Sequence, residues 1–170
     1  RRTVCSVSRR ASRDLQASDR RQRHTGIRDR ISNDRTGLRR AYRDAWLKYR
    51  TSQPLEPVEA AIAQVLAAHP EYQRLVESED ALEREFTAES GDSNPFLHMG
   101  MHLALGEQVS TDRPFGIRAV HHRLLAKRQD WHEVEHAMME CLGEALWRAQ
   151  QSGTPPNETA YLECLERLVR

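Results

Sequence analysis

The sequence is short of cysteine, aromatic residues and long apolar runs, and each shortage narrows what the protein can be. Its three cysteines, Cys5, Cys141 and Cys164, are odd in number and far apart. That suits a reducing cytoplasm better than a disulfide scaffold, and Cys141 reads as a core thiol. No apolar stretch approaches the roughly 20 residues that a membrane span needs. The N-terminus is rich in arginine but lacks the apolar core of a signal peptide. The expectation is therefore a cytoplasmic protein with no membrane partner. A Gly-rich phosphate loop, a nucleophile elbow and a Cys-x-x-Cys pair are all missing, so the chemistries built on them are not indicated. No segment alternates with period two, so strands are not expected. Methionine is absent before Met99, and the chain opens on Arg1. The expectation is a fragment, a non-standard start codon or a first stretch that is not native.

Charge is abundant and uneven. Residues 1–50 hold sixteen Lys and Arg against five Asp, whereas the remainder holds ten against twenty acidic residues. Residues 1–32 have almost no apolar periodicity and read as a disordered basic arm that adds nothing to the fold. With no aromatic residue to stack on bases, the arm offers nucleic acid only weak, non-specific phosphate contact. Residues 33–170 are enough for one domain with a core of its own.

That domain reads as helices. Leu38, Tyr42, Ala45, Trp46 and Tyr49 recur at helical spacing over 34–50, with Asp34 as a candidate cap. Pro57 suits the first turn of a helix carrying Val58, Ile62, Val65 and Leu66, which His69-Pro70 breaks. Short helical pieces follow near 72–77 and 80–86, and then a loop, AESGDSN. Asn94-Pro95 is a cap and a first-turn proline for a helix running to about Val109. Ile117, Val120, Leu124 and Leu125 mark the next helix. Asp130 caps a long one from Trp131 to about Gln151, and Asn157 caps the last. The fold class expected is all-α, about six helices in a bundle-like array.

Two histidine pairs carry the chemistry. His98 and His102 lie four residues apart in NPFLHMGMHLALGEQ; His132 and His136 lie four apart in WHEVEHAMMECLGEALW. At about 100° per residue, each pair shares one helix face with apolar residues, and Glu107 falls on the far side of its helix. Met139, Gly143 and Leu146 share the face of the second pair, and Gly143 would let a neighbouring helix approach closely. Two residues at this spacing can both reach one ion. Two facing pairs would give four nitrogens, enough for tetrahedral zinc, or for part of an iron site if a carboxylate such as Glu140 joins. Glu135 or Glu140 is a candidate to orient a ligating imidazole. Buried imidazoles need partners, so filling a core with several is costly without a reason. The competing reading has each pair at a helix rim, bonded to backbone or carboxylates.

HEVEH also fits the H-E-x-x-H pattern of metalloproteases, with Glu133 as general base. Such enzymes set this helix against a sheet, and no sheet is readable here. Glu133-x-x-His136 resembles half of a di-iron carboxylate motif, but a second half is missing.

The blocks AYRDAWLKYR, LEPVEAAIAQVLAAHPEYQ, SNPFLHMGMHLALGEQVSTDRPFGIR and HAMMECLGEALWRAQ resemble the Domain of Unknown Function 1841 family. The resemblance runs from about Leu38 to Arg170 and leaves out the basic arm. It implies a small, soluble, helical bacterial protein of the cytoplasm, and no activity or site residues.

The leading reading is a helical protein with a metal or ligand site between two helices, lined by His98, His102, His132 and His136. Zinc or iron is the cofactor expected. One alternative is a non-catalytic interaction module with structural histidines, and another is a metallohydrolase using Glu133. Catalysis, partner and homo-oligomerisation are left open.

Overall fold

The computed structural model describes residues 35–84, 86 and 94–170, and every regular element among them is an α-helix. The basic arm, the Asp34 cap and most of the AESGDSN loop lie outside the described residues. The first helix, α1, covers residues 35–50. After it come α2 (Pro57–Ala68), α3 (Pro70–Glu77), α4 (Asp80–Glu83), α5 (Pro95–Thr111), α6 (Ile117–Arg128), α7 (Trp131–Ser152) and α8 (Glu158–Val169).

The helix ends follow local chemistry. Asn94 Oδ1 accepts from the backbone N–H of Phe96 and Leu97, and Pro95 occupies the first turn, where a donor would otherwise be unpaired. Asp130 does the same for His132 and Glu133 at the head of α7, and Asn157 for Ala160 at the head of α8. At the head of α2, Glu56 and Glu59 form a reciprocal capping box. Gly153 ends α7 at φ 65°, a left-handed position that glycine takes without strain.

Two apolar clusters make the core. Tyr42, Ala45 and Trp46 of α1 meet Ile62, Val65 and Leu66 of α2, Val76 of α3, and Phe96 and Met99 from the first turns of α5. The second cluster joins Leu105 of α5 to Ile117, Val120 and Leu124 of α6, Val134, Met138 and Leu142 of α7, and Tyr161 and Leu165 of α8. Helix α5 thus serves both clusters, one from each end. Its middle lies at their seam.

Three expectations are corrected. Leu38, Tyr49 and Val58 are exposed; Arg39 takes the buried place in α1 instead, at 3% exposure. Its stem lies along the apolar face while its guanidinium donates to the carbonyls of Leu82 and Arg84 and lies over the ring of Phe96. Periodicity alone treats a buried arginine as polar and rotates the face away from it. Cys141 is not a free thiol: it is joined to Cys164 in a disulfide between α7 and α8, with the Cα atoms 5.8 Å apart. Counting cysteines could not show that two helices bring these residues together. Gly143 gives no close helix approach, since a Cβ there would meet only the tip of Met101 at 3.8 Å.

Candidate metal centre

The site forms where the α2–α3 junction, the middle of α5 and the first turns of α7 meet. On α5 and α7 the i,i+4 spacing sets His98 above His102 and His132 above His136, each pair on one face. The junction contributes a further imidazole, from His69. Because Pro70 follows it, His69 is held out of the helical region, at φ −121° and ψ 72°. That break between α2 and α3 turns the side chain inward, and His69 is 2% exposed.

The ligand atoms of His69, His102, His132 and His136 all lie within 4.8 Å of one another. His69 Nε2 stands 2.9 Å from His102 Nε2 and 2.9 Å from His132 Nε2. His98 Nε2 is 3.2 Å from His136 Nε2. The two pairs singled out in the sequence therefore meet at one place, and His69 joins them. The sequence reading missed His69. It stands alone, with no partner at helical spacing, and its only signal was the His-Pro step, read there as a helix break.

Carboxylates hold the outer nitrogens. His102 Nδ1 contacts Glu135 Oε2 at 2.6 Å, and His69 Nδ1 contacts Glu71 Oε1 at 2.9 Å. An ionised carboxylate only accepts, so both Nδ1 atoms carry the proton. In the neutral ring, Nε2 is then a lone pair. His69 Nε2 and His102 Nε2 face each other at 2.9 Å, and two neutral rings so arranged would both present lone pairs there. Burial, followed by the like charge of neighbouring imidazoles, pushes His102 down to about 3 and His98 down to about 4. Protonating these rings is thus an unfavourable way to relieve the repulsion. Burial also raises Glu135, against the pull of nearby histidines.

The remaining candidates are placed elsewhere. Glu133 is exposed and pairs with Arg128 at 3.3 Å, and no described segment is a strand of the kind metalloproteases set against this helix. Glu140 and Glu107 are exposed too, so of the two orienting carboxylates considered, only Glu135 reaches a histidine. Leu146 leaves the face of the second pair for solvent. Met99, Met138 and Met139 are core residues.

A profile described as a domain of unknown function, DUF1841, matches residues 34–167. The chain belongs to this family. No curated protein and no solved structure matches the chain. The matched region of this DUF1841 protein contains all five clustered histidines and both carboxylates. Among the described residues, no helix is long and apolar enough to cross a membrane.

Proposed function

We infer that this DUF1841 protein binds a divalent first-row transition-metal ion through His69, His102, His132 and His136. The observation that carries the reading is the convergence of four imidazoles whose ligand atoms lie within 4.8 Å of one another, with the Nδ1 atoms of His69 and His102 on Glu71 and Glu135. Lone pairs aimed at one point repel one another, and a cation turns that repulsion into binding. A ligating histidine usually gives its second nitrogen to a carboxylate or carbonyl, as both do here. Imidazole suits zinc and iron, and zinc is favoured for four nitrogens in a tetrahedron. Bound there, the ion would supply Lewis acidity; the protein's own groups hold the rings and fix their tautomers.

A non-catalytic interaction module with structural histidines is the rival. It gives no reason for gathering four imidazoles within 4.8 Å of one another. The Glu133 metallohydrolase reading is not favoured, because the carboxylate is engaged with Arg128 at the surface.

Elemental analysis of protein purified without an affinity tag tests the metal reading. About one equivalent of metal per chain is expected, lost in His69→Ala and in His102→Ala. A ligand that binds only the native state stabilises it by about 4 kcal/mol at a thousandfold excess over its Kd. Chelation should therefore lower the Tm of the natural sequence and leave that of His102→Ala unchanged. Metal-free protein that takes up no zinc or iron on addition would hand the site to the rival reading.

A further inference from the structure

We propose that His98 is a fifth nitrogen ligand, so that the centre holds a five- or six-coordinate ion with one position open to a small anion from solvent. The proposal rests on the metal reading above and goes beyond its four-histidine set.

Ring placement is the first argument. The His98 ring lies 4.8 Å from His69, 5.0 Å from His102 and 5.0 Å from His136, nearly perpendicular to each. Distances within the four-histidine set are of the same size, from 4.2 Å between His132 and His136 to 5.6 Å between His69 and His136. His98 is thus packed over three of the four rings as closely as they are packed together. It is not a neighbour of one ring alone.

The nitrogen spacing is the second. Tetrahedral nitrogens around an ion ~2.05 Å away are about 3.3 Å apart, whereas adjacent octahedral positions are about 2.9 Å apart. The three closest Nε2 separations in the cluster are 2.9, 2.9 and 3.2 Å. The separation that involves His98, 3.2 Å to His136, lies in the range that two nitrogens on one ion span.

Access is the third. His69 and His102 are buried, whereas His98, His132 and His136 are half-buried. A cleft lined by Val58 and Val65 of α2, Leu103 and Gly106 of α5 and Trp131 of α7 leads to His102 and Glu135. Five donors leave a sixth octahedral position, and the partial exposure of three of the rings gives solvent a way to it. Catalytic and ligand-binding metal sites keep such a position, whereas structural zinc sites close it.

The test uses the full chain, stripped by chelation and loaded with cobalt(II). Higher-coordinate cobalt absorbs weakly in the visible, and tetrahedral cobalt several-fold more strongly. The expected result is weak absorption that shifts on adding azide. His98→Ala and His98→Gln should keep the helical circular dichroism and raise the absorption several-fold. Cobalt bound with a strong tetrahedral spectrum, the same in both variants, would overturn the fifth ligand while leaving the metal site intact. A weak spectrum that azide does not move would overturn the open position. Failure to bind cobalt, zinc or iron at all would remove the metal reading itself, and this proposal with it.

Discussion

His69 and His102 face each other through Nε2 at 2.9 Å, while their Nδ1 atoms are held by Glu71 and Glu135. The two residues are 33 apart in sequence, His69 at the α2–α3 junction and His102 on α5. Neither contact alone sets the chemistry. Together they hold both rings by their outer nitrogens and turn both Nε2 atoms toward one centre.

The orienting carboxylates should matter unequally. Glu135 is half-buried, while the Glu71 side chain is 58% exposed. Removing an orienting partner typically costs about 10- to 100-fold in metal affinity. Glu135→Gln should fall in that range, because its amide can present a donor to His102 and disturb the tautomer. Glu71→Gln should cost less, since water can replace an exposed carboxylate. Competition titration against a chelator of known affinity measures both. Equal losses would mean that exposure does not set the effect.

Acid should destabilise the metal-free protein. His98 and His102 are bases whose folded-state values lie below the ordinary 6.5, at about 4 and about 3. The unfolded chain therefore takes up protons first. Stability is full above pH 6.5 and is lost as pH falls toward those folded-state values. Protons also compete with the metal, so the Tm difference between loaded and metal-free protein should shrink over the same range. Thermal melts of both forms from pH 8 to about pH 4 decide it. A flat metal-free profile would count against the burial of these rings.

Asn94 starts the helix that carries His98 and His102. Loss of a capping side chain costs about 1 kcal/mol. Asn94→Ala should therefore lower the unfolding free energy measured by urea denaturation by that amount, and Asn94→Asp should restore most of it. A neutral alanine variant would mean that the Asn94 cap adds nothing to stability.

The Cys141–Cys164 disulfide ties α7 to α8 across 23 residues of sequence. Closing a loop of this size typically stabilises by about 2–4 kcal/mol. Reductant should therefore lower the Tm of the natural chain, and Cys164→Ser should melt low with or without it. The disulfide leaves the middle of α7, more than a turn beyond His136, and touches none of the clustered histidines, so metal stoichiometry should survive reduction. A Tm that reductant leaves unchanged would mean the thiols stay free in solution.

Much of this protein could be read from its residues in order. The caps at Asn94, Asp130 and Asn157, the proline starts at Pro57 and Pro95, and the helical spacing of apolar residues are local facts. They gave an all-α chain with its main helix boundaries. The His98/His102 and His132/His136 pairs were also local, because i,i+4 spacing places both members on one face whatever lies opposite.

Contacts between helices were decided only by the tertiary structure. His69 has no helical partner, and only the fold brings it to His102 and His132. Arg39 is buried because carbonyls at the end of α4 receive its guanidinium, and nothing within α1 announces that. Cys141 and Cys164 look unrelated until α7 and α8 lie side by side. Glu133 and Glu135 are two residues apart on one helix. One meets Arg128 at the surface and the other meets His102 inside, because a helix turns roughly 200° between them. Local spacing determines which way a side chain points from its own axis. What it meets depends on where the other axes run.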